Sequence, residues 1–277
     1  GGGGGGWRSR RGRNLLEKKF RHQYWYRRAG VAMADSPVGP FRFVHALQPD
    51  GLASLDLQLF QDDDGSGGSA AYLIRSVNNE YVGMSRLSDD YLTTTGKILS
   101  TIRPALEGMA VFRHPADHTL YALMSHLTGW EPNPLVLLRA HKKRRLGTTA
   151  TTRGANDDDD GGSGGGGGGS GQSVAGEKCQ LGCRLDDGDL VWEKLGNPTH
   201  HHKSFNAQPT YVVSLTDGHR KPYAMLMSDN WLYAGQAKGL KDAGYIWLPL
   251  EFRKNSTVGI RKMRNWTMDA PFERPSI

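Results

Sequence analysis

Apolar and polar residues alternate over short stretches along most of this chain, and no stretch sustains the longer rhythm of an amphipathic helix. One pattern recurs: a turn, then Tyr, then alternating apolar residues, then Ser. Tyr72-Leu73-Ile74-Arg75-Ser76 follows the turn expected at Asp62-Asp63-Asp64-Gly65. Tyr121-Ala122-Leu123-Met124-Ser125 follows Ala116-Asp117-His118, and Tyr223-Ala224-Met225-Leu226-Met227-Ser228 follows Asp217-Gly218-His219. Tyr121 lies 49 residues after Tyr72, and Tyr223 lies 102 after Tyr121, roughly two such intervals. Further strands are expected at Gly30 to Ala34, before the turn Ser36-Pro37-Val38-Gly39-Pro40, at Tyr81 to Ser85, and at Tyr245 to Leu250. A short helix is expected near Leu15 to Tyr24. The fold class is all-β. A repeat near 50 residues built from short strands suits a propeller of four-stranded blades, with a β-sandwich as the competing architecture.

Glycine changes the picture in two places. Gly1 to Arg13 begins with six glycines and carries Arg8, Arg10, Arg11 and Arg13, so residues 1–23 are expected to form a disordered basic arm. Residues 147–176 combine Asp157 to Asp160 with a Gly/Ser tract and are expected to be a flexible insertion. Such an insertion leaves one domain, residues 24–270, intact, because loop-closure cost grows slowly with length. Residues 271–277 form a tail.

The net charge of +7 rests largely on the arm and on Lys142, Lys143, Arg144 and Arg145. Neither cluster interleaves aromatic residues, so solvated segments are expected and not a nucleic-acid surface. No run of about 18 apolar residues occurs, so no membrane-spanning helix is expected. No signal peptide is visible at the N-terminus. The two sequons, Asn255-Ser256-Thr257 and Asn265-Trp266-Thr267, are compatible with secretion. Cys179 and Cys183 leave both a small bridge and two free thiols open. His200, His201 and His202 look like a metal tract, but adjacent side chains on a regular backbone diverge, and no metal site is expected.

Several polar residues sit where apolar strands begin. Glu107 opens Leu106-Glu107-Gly108-Met109-Ala110-Val111-Phe112, where partial burial would raise its pKa toward that of a working acid. An exposed loop glutamate is the alternative. Asp56, between Leu55 and Leu57, is either a carboxylate with a partner or task, or an edge-strand group facing water. Gln208, in Ser204 to Thr210, cannot serve as an ordinary base but can orient a water molecule or a sugar hydroxyl. Asn78 and Asn79 suit either sugar hydroxyls or a tight turn. Trp130 suits either a sugar-stacking platform or the core.

From about Tyr24 to Phe252 the chain resembles glycoside hydrolase family 43 (GH43), within it the galactan 1,3-β-galactosidases. The resemblance is carried by the stretches Gly30 to Phe41, Ser54 to Gly65, Leu87 to Leu92, Leu106 to Phe112, Leu127 to Asn133, Leu195 to Pro198, Ser204 to Thr210 and Tyr245 to Leu250, in the family's order. It implies a five-bladed β-propeller that acts with inversion. By this resemblance Glu107 is the general acid, and Asp56 tunes and orients it. Leu55 stands where most of the family has Arg. Gln208 faces the water side of the sugar, and Asn78 and Asn79 lie near the terminal sugar. Family members carry roughly a blade and a half before the segment at Gly30, so an incomplete propeller with its first blade largely missing is expected.

The implied activity is exo-hydrolysis of terminal β-1,3-linked galactose from a polysaccharide or oligosaccharide by an extracellular monomer. The chemistry requires no cofactor, and a structural calcium in the channel is compatible with it. The open alternatives are a catalytically impaired carbohydrate-binding fragment of the same fold, an arabinofuranosidase or xylosidase of the same family, and a basic nucleic-acid or protein adaptor.

Overall fold

The computed structural model describes residues 25–63, 69–142, 177–178, 184–185, 190–230, 243–253 and 257–272. The expected helix at Leu15 to Tyr24, the basic arm, the insertion at 147–176 and both cysteines lie outside these residues.

The described residues contain strands and two 3-10 turns, Pro49–Gly51 and Ser204–Asn206, and no α-helix. A hairpin of β1 (Ala29–Met33) and β2 (Arg42–Leu47) comes first. The first larger sheet is an antiparallel meander of β3 (Leu57–Asp63), β4 (Ser69–Val77), β5 (Tyr81–Leu87) and β6 (Thr94–Ile102). The second repeats that order with β7 (Glu107–Arg113), β8 (Leu120–Ser125) and β9 (Val136–Lys142). Two strands then pair with β9: β10 (Glu177–Lys178) and β11 (Leu190–Gly196). The third has β12 (Ala207–Thr216), β13 (Pro222–Asn230) and β14 (Gly244–Pro249), and a small pair follows, β15 (Glu251–Phe252) with β16 (Val258–Gly259). The expected all-β class is the observed one. Among the described residues these sheets do not close into one continuous sheet.

The Tyr-to-Ser repeat falls on the same element each time. Tyr72, Tyr121 and Tyr223 sit on β4, β8 and β13, the second strand of each successive sheet, and all three are buried. A second strand has neighbours on both edges, and packed sheets cover its faces, so it tolerates a continuous apolar run. β8 shows this best, since every one of its residues is buried. Leu120, Ala122 and Met124 face the first sheet, packing with Tyr72, Ile74 and Met84. Tyr121 and Leu123 face the third, packing with Ala224, Leu226 and Leu248. Each fully buried side chain of this size contributes on the order of 1.5–3 kcal/mol.

Polar rungs join the innermost strands of the first two sheets. Gln58 on β3 is buried. Its Nε2 donates to the Val111 carbonyl at 3.1 Å, and its Oε1 accepts the Val111 amide at 2.7 Å. Four residues on, Asp62 takes two hydrogen bonds from the Arg113 guanidinium, at 2.5 and 2.9 Å, with both side chains buried. The chain therefore does not turn at Asp62 and Asp63, as the acidic run suggests, but stays extended through Asp63. A buried partner on another sheet overrides the local turn preference of aspartate.

Candidate active site

The up-and-down order places the starts of β3, β7 and β12 at one end of their sheets, together with the β4–β5 and β8–β9 connections. All six residues singled out from the sequence lie at that end: Asp56 just before β3, Glu107 opening β7, Gln208 on β12, Asn78 and Asn79 in the β4–β5 turn, and Trp130 in the β8–β9 loop. Strand pairing makes the first two equivalent. Ser76 donates its amide to the Asp56 carbonyl at 2.9 Å, and Glu107 pairs with Ser125, the corresponding serine of the next repeat.

Three of these residues converge on one glycine. Gly108 follows Glu107, at a β-bulge between Glu107 and Ala110, with a φ of +57°. Its amide donates to the Asp56 carboxylate at 3.2 Å. The space that a Cβ would occupy is taken by Gln208, whose Cγ lies 2.5 Å from that position. Gln208 Nε2 donates to Ser125 Oγ at 3.0 Å, and Ser125 Oγ donates to the Glu107 carbonyl at 3.2 Å. The Asp56 carboxylate and the Gln208 amide are thus linked through Ser125 and the peptide unit between Glu107 and Gly108, the backbone that carries the Glu107 carboxyl.

The electrostatics favour a proton on Glu107. Burial, with a smaller push from the Asp56 charge, lifts the Glu107 pKa from the ordinary 4.5 to about 7. Glu107 is half-buried, whereas Asp56 is exposed. A carboxyl that its surroundings keep protonated near neutral pH has the property a general acid needs. A protonated Glu107 can give a proton, an ionised Asp56 keeps that proton in place, and the Gln208 amide offers a donor and an acceptor to a polar ligand.

Gln208 is delivered by an uncommon backbone. Ser204, Phe205 and Asn206 all have φ between +44° and +63°, a left-handed turn, before Ala207 returns to extended geometry. Ser204 is buried, and its Oγ accepts the Leu135 amide at 2.7 Å, which ties the turn to the second sheet. His201 holds the other side: its Nδ1 accepts the amides of Lys203 at 3.2 Å and Phe205 at 3.3 Å. Its ring stacks on His202 at 4.8 Å. The histidine tract therefore shapes the backbone ahead of Gln208. Among the described residues no group of three His, Cys, Asp or Glu side chains is arranged to hold a metal ion.

Asn78 and Asn79 form a tight turn, with φ of +53° and +58°, closed by the Glu80 amide on the Val77 carbonyl at 2.9 Å. Their side chains are exposed at the same end as Asp56, and Asn79 accepts a hydrogen bond from Ser76 Oγ at 3.2 Å. Arg27 donates to the Asn78 carboxamide oxygen. Trp130 is 45% exposed, which removes the core reading. The loop carrying it is braced by Asn133, which bonds both the amide and the carbonyl of His126, at 3.0 and 2.8 Å.

A cavity of about 450 Å³ lies between β6 and β11, lined by residues such as Leu99, Ile102 and Trp192. It meets the carboxyl cluster only at its head, through Leu106 and His126. Sequence reasoning passed over Gly108 and Ser125. The recurrence of Ser76, Ser125 and Ser228 at strand ends was the available signal for the second.

No protein-family model matches the chain, and no curated protein sequence matches it. Solved structures do. A GH43 β-1,3-galactosidase with galactodeoxynojirimycin aligns with a TM-score of 0.61 at 25% identity, covering 88% of this chain and 68% of that one. An exo-β-1,3-galactanase from Clostridium thermocellum aligns at 0.59 and 20% identity, covering 86% and 42%. One from Phanerochaete chrysosporium with galactose aligns at 0.56 and 23% identity, again covering 86% and 42%. The chain thus spans about two thirds of the first structure's length and about two fifths of the other two. These alignments show that the chain shares its all-β fold with solved GH43 glycoside hydrolases. Within that class its structural neighbours are β-1,3-galactosidases and exo-β-1,3-galactanases, the group that the sequence motifs resemble.

Proposed function

We propose that this chain carries the site of an inverting exo-glycosidase acting on terminal β-1,3-linked galactose, on a five-bladed propeller of which the described sheets form consecutive blades. The observation that carries this reading is the meeting of Asp56, Glu107 and Gln208 around Gly108, with Glu107 held up near pH 7 by burial and by the neighbouring charge.

In this reading the terminal galactose lies over the strand starts. Glu107 gives its proton to the departing glycosidic oxygen as the bond to the anomeric carbon breaks, and a water molecule forms the new bond from the opposite face. Asp56 keeps Glu107 protonated until the transition state. Gln208 orients the attacking water, whose released proton passes to solvent. Asn78 and Asn79 contact sugar hydroxyls at the rim, and Trp130 stacks on a ring. The ligands named for the neighbours, galactodeoxynojirimycin and galactose, support a galactose-sized site.

The test is release of galactose from β-1,3-galactan, read by ion chromatography, with product anomers followed by NMR. Glu107→Gln is expected to lower turnover by about 10²–10⁴-fold, the typical contribution of a positioned acid. Release of the α-anomer supports inversion. Undiminished release by Glu107→Gln rules out this assignment of the acid.

A further inference from the structure

Gly108 stands where Asp56, Glu107 and Gln208 meet, yet it carries no side chain of its own. We propose that Gly108 is a positioning residue that couples Gln208 to the Asp56–Glu107 pair, and that the bare α-carbon is its working feature. This rests on the reading of Glu107 and Gln208 as the acid and the water-orienting amide.

Three observations act together. A φ of +57° is a backbone state that residues with a Cβ rarely adopt, and here it directs the Gly108 amide at the Asp56 carboxylate. A Cβ at this position would lie 2.5 Å from Gln208 Cγ, 2.9 Å from Cδ and 3.0 Å from Nε2, closer than such atoms approach. The side chain thus displaced is the one that donates to Ser125 Oγ, and Ser125 in turn donates to the Glu107 carbonyl. Gln208 therefore cannot keep its place if residue 108 gains even one methyl group. The Asp56 contact and the Gln208 contact fall on the same residue, so a backbone shift that relieves the clash with Gln208 also moves the amide that Asp56 accepts.

The experiment is a double-mutant cycle. Gly108→Ala is made in the natural chain and in Gln208→Ala, and kcat and KM are measured on a β-1,3-galactooligosaccharide across pH. Displacing a positioned group by about 1 Å costs about 10²-fold, so Gly108→Ala is expected to lower kcat about 10²-fold. KM should change by less than about threefold. In the Gln208→Ala background, where the Cγ, Cδ and Nε2 atoms in its way are gone, the further loss should shrink to the backbone cost of the positive φ, less than about tenfold. Gly108→Asn serves as the second variant, since asparagine tolerates positive φ but brings the same Cβ. It is expected to fold and to lose activity like Gly108→Ala. Losses of equal size in both backgrounds, or an active Gly108→Asn, overturn the proposal.

A structural readout stands apart from turnover. The Gln208 side-chain amide signals, assigned by their absence in Gln208→Ala, should move in Gly108→Asn; unchanged signals also overturn the proposal. A natural chain that releases no galactose, or a Glu107→Gln variant as active as the natural chain, instead removes the hydrolase reading. The coupling of Gly108 to Gln208 is then still judged by those amide signals.

Discussion

Replacing Asp56 with asparagine removes one charge and little else. The asparagine carboxamide oxygen can still accept the Gly108 amide, so the loop keeps its contact while the negative charge beside Glu107 disappears. Glu107 is lifted to about 7 first by burial and second by Asp56, so the charge accounts for less than half of the rise from 4.5. In Asp56→Asn the Glu107 pKa should therefore fall by about 1 and stay well above the ordinary value, at most ~1.4 kcal/mol of interaction between the two carboxyls before solvent screening. At pH 7 the protonated fraction drops from about half to about a tenth, and turnover should fall roughly fivefold. At pH 5 both forms remain protonated and the two rates should agree within about a factor of two. The assay is galactose release between pH 4 and 9, paired with a carbon NMR titration of the Glu107 carboxyl. A loss of equal size at pH 5 and pH 7 would show that Asp56 only orients the acid. A Glu107 pKa that rises, or that drops all the way to 4.5, would refute the ranking of burial over charge.

Two further outcomes are expected. Because the folded-state pKa of Glu107 is raised, the native state holds a proton that the unfolded chain gives up near pH 4.5. This stabilisation is complete below that pH and is lost as pH rises through about 7. For a half-exposed carboxyl it amounts to about 1–2 kcal/mol after screening; urea unfolding at pH 5 and pH 8 should show the natural chain losing that much relative to Glu107→Gln, and a constant gap contradicts it. Asp62→Ala leaves the buried Arg113 guanidinium without its carboxylate and should cost about 3–5 kcal/mol, whereas replacing both residues with leucine should cost far less; denaturant midpoints decide between them.

Burial made part of this molecule legible in its sequence. Tyr72, Tyr121 and Tyr223 announced themselves because second strands, enclosed by their neighbours, require the same apolar run each time. Glu107 was legible for a related reason, as a carboxyl placed at the start of such a run. Local composition misled where a distant partner decides the outcome: Asp62 reads as a turn residue and is instead extended, held by Arg113 51 positions away. The role of Gly108 was out of reach because it depends on Gln208, and the repeat marked Ser125 without revealing its bond to Gln208, 83 residues away. Trp130 could have stacked or been buried, and only the geometry of its loop places it at the rim.

The buried glutamine on β3 has a wider reach than its two hydrogen bonds suggest. By offering one donor and one acceptor to a single residue of a neighbouring sheet, the Gln58 side chain behaves as a stretch of main chain would, and it stitches together strands that never pair. Asp56 lies two residues upstream, just before β3, and Glu107 four residues upstream of Val111 on β7. The clasp thus works as a caliper, setting how far apart the two carboxyl groups sit, so the acidity of one side chain depends on an amide that touches neither.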